Sequence, residues 1–134
     1  MGKKRARTAS AGITLDTGAL IALDRGEKRM IALLQQALAQ GCVFRVPSGV
    51  LGQAWRDGRL QVTLARFLRS EEVEVVPLDA QLARSCGELC GATNTSDIVD
   101  ASVVILAREG RNPIVTSDPH DLRRLDPGAR IIPI

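Results

Sequence analysis

From residue 12 onward, short apolar runs alternate with longer stretches in which apolar residues return at helical spacing. Residues 12–15 (GITL) are too few for a helix and predict a strand that ends at Asp16. Residues 19–23 and then 27–40 predict helix, with Ile31, Leu34 and Leu38 on one face and Gly41 as the stop. Residues 42–46 predict a second strand. Pro47 and Ser48 then open a helix over 49–57, Gly58 interrupts it, and residues 60–68 continue as a further helix. Residues 73–76 predict a third strand. Asp79 caps a helix reaching about Cys90, and 91–96 form a polar turn. Thr95 or Ser96 is placed to cap the apolar helix 97–109, which Asn112 and Pro113 break. Residues 114–115 predict a fourth strand running into Thr116, Ser117 and Asp118. A short helix at 121–125 and a last strand at 130–132 follow, closed by Pro133.

Alternation of this kind predicts the α/β class: a single domain over 11–134 with a mostly parallel central sheet of about five strands and helices on both faces. In such folds ligands bind beyond the carboxyl ends of the strands. Two of these strands end directly in aspartate. The length of 134 residues suits one domain, and 45% hydrophobic residues suffice for an ordinary core. No apolar run approaches the roughly 18 residues of a membrane span. The charged N-terminus lacks the apolar stretch of a secretory signal. The three cysteines form no C-x-x-C pair. Cys86 and Cys90, four apart, read as buried thiols, and the setting reads as reducing and cytoplasmic.

Charge adds less than its total suggests. The net charge is +3, but the first seven residues carry four of the 18 basic residues, leaving 14 basic against 15 acidic. Residues 1–10 read as a basic, disordered N-terminal tail or as an arm that touches RNA or a partner. Arg56, Arg59, Arg66 and Arg69 are able to fork onto phosphate, but this spacing also suits a solvated helix face. Phe44, Trp55 and Phe67 are the only aromatic residues, too few for a base-stacking platform.

The candidate chemistry is acidic. Asp16 and Asp118 end strands, while Asp97 and Asp100 share a face at the start of an apolar helix. Two like charges ~4 Å apart repel by about 4 kcal/mol at an effective dielectric of ~20. Converging carboxylates therefore call for a cation, and an all-oxygen set favours Mg²⁺ or Mn²⁺ over zinc. Each residue also has a plainer reading. Asp97 suits a first-turn carboxylate on the helix dipole, and Asp16 and Asp118 suit turns or caps. Asp100, inside an apolar pattern, has no capping task. Asp24, Glu27, Asp79 and Asp121 read as ordinary caps or surface residues. The lone His120 cannot make a zinc site but lies close to Asp118.

At these residues the sequence resembles the PIN domain, and especially the VapC-type ribonuclease toxins. The carrying segments are LDTGALIAL at 15–23, VPSGVLGQAWR at 46–56 and TSDIVDASVVILAREGRNPIVTSD at 95–118. The resemblance implies a parallel sheet between helices and a Mg²⁺- or Mn²⁺-dependent endoribonuclease. It implies metal-binding roles for Asp16, Asp100 and Asp118, with Asp97 where some members carry a further acidic ligand. Thr17 and Thr116 match hydroxyl residues supporting these carboxylates, with Ser117 beside them. It also implies an RNA substrate, a small antitoxin partner and a homodimer. One position departs from the pattern: Gln53 stands where the family carries a glutamate. Glutamine keeps an oxygen able to hydrogen-bond a metal water but removes one negative charge.

Two other classes follow from the same residues. A PIN-like module that binds RNA or a protein but cuts poorly is consistent with Gln53. A phosphotransfer enzyme also places aspartate after a strand. The dehalogenase pattern Asp-x-Asp fails at Gly18, however, and a receiver domain lacks its lysine, since only Lys3, Lys4 and Lys28 are present.

Overall fold

The computed structural model describes residues 11–134; the N-terminal tail of residues 1–10 lies outside them. The described chain runs β1 (Gly12–Leu15), α1 (Thr17–Asp24), α2 (Lys28–Ala39), β2 (Val43–Pro47), α3 (Ser48–Ala54), α4 (Val62–Leu68) and β3 (Val73–Val76). It continues through α5 (Ala80–Thr93), α6 (Ile98–Gly110), β4 (Ile114–Thr116), α7 (Pro119–Leu125) and β5 (Ile131–Pro133). The five strands form one sheet in the order β3-β2-β1-β4-β5, every pair parallel. The order reverses between β1 and β4, the first strand and the one reached by the long connection through α5 and α6. With right-handed crossovers, α1 to α4 cover one face and α5 to α7 the other.

Full burial of Leu15, Phe44, Val46 and Val115 explains why these strands read as apolar runs rather than as alternating ones. Phe44 meets Phe67 edge to face, centroids 5.6 Å apart, and so ties β2 to α4. Cys86 and Cys90 are free and buried, as their spacing suggests, and so is Cys42. No helix among the described residues is long and apolar enough to cross a membrane.

Several boundaries differ from expectation. Helix α3 stops at Ala54 instead of residue 57, because Trp55 turns extended and the Gln61 side chain captures the N–H groups of Arg56 and Asp57. Helix α5 runs on past Gly91 to Thr93, and Asn94 closes it in the left-handed conformation at φ 55°. The turn that follows is thus shorter than the expected 91–96. Neither Thr95 nor Ser96 caps α6; Asp97 does. Helix α7 starts at Pro119, since proline suits the first helical turn. Strand β5 includes Pro133, which an edge strand tolerates.

Candidate active site

The switch point between β1 and β4 decides where the acidic residues go. Leu15 lies beside Val115 in the sheet, so the next residues, Asp16 just past β1 and Thr116 at the end of β4, come side by side. Asp16 is 7% exposed. It caps α1, its Oδ1 accepting the Ala19 N–H at 2.9 Å. Burial pushes its carboxyl above the ordinary value, and the nearby Asp118 adds to this. The Thr116 hydroxyl and the N–H groups of Ala19 and Gly18 hold it back. Thr116 is fully buried, and its hydroxyl oxygen also accepts the Asp118 N–H at 2.8 Å. One hydroxyl therefore serves both strand-end aspartates. Asp118 is exposed at the head of α7, and its side chain makes no capping bond.

Asp100 stands half-buried in the first turn of α6. Its carboxyl is pushed up to about 7, first by burial, then by the charges of Asp97, Asp121 and Asp16. Asp97 is exposed, and its Oδ1 accepts the Asp100 N–H at 3.0 Å. Asp97 thus caps α6 from the position before the helix rather than standing in its first turn. Asp97 and Asp100 line a cleft of about 390 Å³ together with Asp121 and Arg124.

Gln53 sits exposed on α3, yet it joins the same end of the sheet. Its Oε1 accepts the Thr17 hydroxyl at 2.5 Å, next to Asp16. Ser117, also exposed, crowds Gly18: a Cβ added there would lie 2.0 Å from the Ser117 Oγ. The glycine thus lets the first turn of α1 close against the turn after β4. His120 is exposed on α7. Arg56 and Arg59 are occupied locally, Arg56 by the Gly52 and Trp55 carbonyls and Arg59 by Asp57, which fits the solvated reading of those arginines.

Asp121 was expected to be an ordinary surface residue, but the packing of α7 against α6 sets it within electrostatic reach of Asp100. Its spacing of three from Asp118 repeats that of Asp97 and Asp100. That repeat is the signal available in the sequence.

The donors around this space are oxygens, and two of the carboxyls are raised partly by neighbouring carboxylates, Asp16 by Asp118 and Asp100 by Asp97, Asp121 and Asp16, so a hard divalent cation fits the chemistry. No group of three or more His, Cys, Asp or Glu among the described residues closes into a ready coordination shell. The carboxylates share one region without yet converging on a point.

The architecture is that of a single α/β domain of the PIN type. Solved structures with this fold include a chain of VapBC2 from Rickettsia felis, crystallised with a DNA fragment from its promoter. It is 17% identical at a TM-score of 0.68, the match covering 92% of this chain and 98% of that one. VapC20 of Mycobacterium tuberculosis, described as a sarcin–ricin-loop-cleaving toxin, is 22% identical at a TM-score of 0.59, covering 78% of this chain and 87% of that one. Identities this low establish the fold alone. No protein-family model and no curated protein matches the sequence.

Proposed function

We propose that this chain is a Mg²⁺- or Mn²⁺-dependent endoribonuclease that hydrolyses RNA phosphodiester bonds in the cytoplasm. The observation that carries the reading is Asp100. Burial first, and then three carboxylates, Asp97 at the head of α6, Asp121 on α7 and Asp16 just past β1, raise it to about 7, and the only cation lining the cleft among the described residues makes no ion pair with them. Such an arrangement suits a bound cation better than an empty scaffold.

Asp16, Asp100 and Asp118 are the residues to hold the ion, with Asp97 completing the set. When bound, the ion neutralises phosphate charge and makes water a better nucleophile at neutral pH. The protein's part is positional. Thr116 holds Asp16 by its hydroxyl and the Asp118 backbone by its oxygen. Thr17 fixes the Gln53 amide oxygen, leaving the amide N–H groups to a water or a phosphate oxygen. Ser117 packs the turn after β4 against Gly18.

The fold it shares with VapC chains, one of them crystallised as VapBC, supports the further reading of a toxin with a small antitoxin partner, acting as a homodimer. The test is cleavage of RNA with Mn²⁺ by the wild type and by Asp100→Asn. Activity in the wild type and none in the folded variant is expected. Equal activity in both would overturn the reading.

A second reading has one observation behind it. Gln53 withholds a negative charge next to Asp16, and the carboxylates do not close into a shell. A module that binds RNA or a protein and cuts weakly would show RNA affinity with no Mn²⁺ uptake by calorimetry.

A further inference from the structure

The cleft of about 390 Å³ beside Asp100 has a mixed lining. Asp97, Asp100 and Asp121 bring carboxylates to it, while Thr95 and Ser96, in the turn between α5 and α6, and Arg124, in the last turn of α7, bring hydroxyls and a cation. Arg124 is the only cation lining it among the described residues. It stands one helical turn after Asp121, on the same face, at a spacing that allows an ion pair. No such pair forms: Arg124 is in none of the ion pairs between described residues. Arg124 is exposed, and no described residue takes a hydrogen bond from its guanidinium, in a cleft that three carboxylates make hostile to anions.

A nucleic-acid strand reaching Asp100 has to bring phosphates into that cleft. An ion held by Asp16, Asp100 and Asp118, with Asp97 completing the set, would offset charge at the scissile phosphate. The phosphate next to it would meet Asp121 without that help. A planar guanidinium offering paired N–H donors matches the two non-bridging oxygens of such a phosphate. The hydroxyls of Thr95 and Ser96, which also line the cleft, suit the sugar edge. Resting on the ribonuclease reading, we propose that Arg124 is a positioning residue that holds the RNA phosphate adjacent to the scissile one, in a subsite it shares with Thr95 and Ser96.

The experiment compares wild type, Arg124→Gln and Arg124→Lys on a single-stranded RNA oligonucleotide with saturating Mn²⁺, across a salt series. For Arg124→Gln the expected result is a KM raised about tenfold with kcat within about twofold. One lost phosphate contact on a single strand also lowers the slope of log affinity against log salt by about 0.7. Arg124→Lys should recover part of the KM and most of the slope, because it keeps the charge but not the fork. Mn²⁺ affinity by calorimetry should not weaken in either variant. A wild type that cleaves, with an Arg124→Gln variant of unchanged KM and salt slope, overturns the proposal, whatever the melting temperature does. A fall in kcat alone overturns it too, since that places Arg124 at the reacting phosphate. A wild type that binds the oligonucleotide without cutting overturns the ribonuclease reading; fluorescence anisotropy then reads the same slope change for Arg124. A wild type that neither cuts nor binds overturns both.

Discussion

The Thr17 hydroxyl and the Gln53 amide oxygen lie 2.5 Å apart, joining the first turn of α1 to α3 directly beside Asp16. A carboxylate at residue 53 accepts the same hydrogen bond and adds a negative charge where an ion would sit. Gln53→Glu is expected to tighten Mn²⁺ binding about tenfold, equivalent to ~1.4 kcal/mol, and to raise cleavage in parallel. Calorimetry on the two proteins checks this; unchanged affinity would place residue 53 outside the ion's reach.

Asp100→Asn removes the carboxyl that its surroundings most oppose. Mn²⁺ binding and RNA cleavage should each fall by about a hundredfold or more. The metal-free variant should nonetheless melt a few degrees above wild type at pH 8, because the buried charge is gone. A variant that melts lower would show that the ionised carboxylate has a stabilising partner.

The pH dependence has a definite sign. Asp100 keeps its proton to about pH 7 in the fold, against an ordinary value of 3.8. Between these values the native chain binds more protons than the unfolded one, so metal-free stability falls as pH rises from about 4 to 7 and levels off above. Metal uptake has to displace that proton, so Mn²⁺ affinity should drop about tenfold per pH unit below 7. Calorimetry in buffers of different ionisation enthalpy should show one proton released at pH 6 and almost none at pH 8.

Gly18 tests the packing that brings α1 under the turn after β4. An added methyl meets the Ser117 Oγ at 2.0 Å and its Cβ at 3.1 Å. The hydroxyl has room to rotate away at an exposed position, but the Cβ does not. Gly18→Ala should cost about 1–2 kcal/mol in denaturant unfolding. Adding Ser117→Gly should return most of it, a coupling that distant sites would not show.

Much of this could be read from the chain because the signals were local. Residues 12–15 and 73–76 are strands at the expected bounds, since a short apolar run with a polar end has few other uses. Asp79 caps its helix through the Leu82 N–H, a bond made within four residues. The acidic residues at 16 and 118 declared themselves by ending strands. What stayed hidden depended on distant partners. The end of α3 is set by Gln61 reaching back to Arg56 and Asp57. Helix α5 continues past Gly91 because Cys86 and Cys90 have a buried face to fill, and the Thr93 hydroxyl bonds back to the Leu89 carbonyl. Asp121 gained its importance only when α7 packed on α6.

The pairing of Leu15 with Val115 has a consequence for how such a chain tolerates change. Side chains alternate faces along a strand, so sliding β4 by one residue against β1 would turn Thr116 away from Asp16 and move Asp118 by a full strand step. The connection through α5 and α6 can lengthen or shorten at its loops without touching that alignment. Insertions between residues 94 and 96 are therefore a smaller threat to the two strand-end aspartates than a single deletion between residues 112 and 116, and variation among chains of this design should be distributed accordingly.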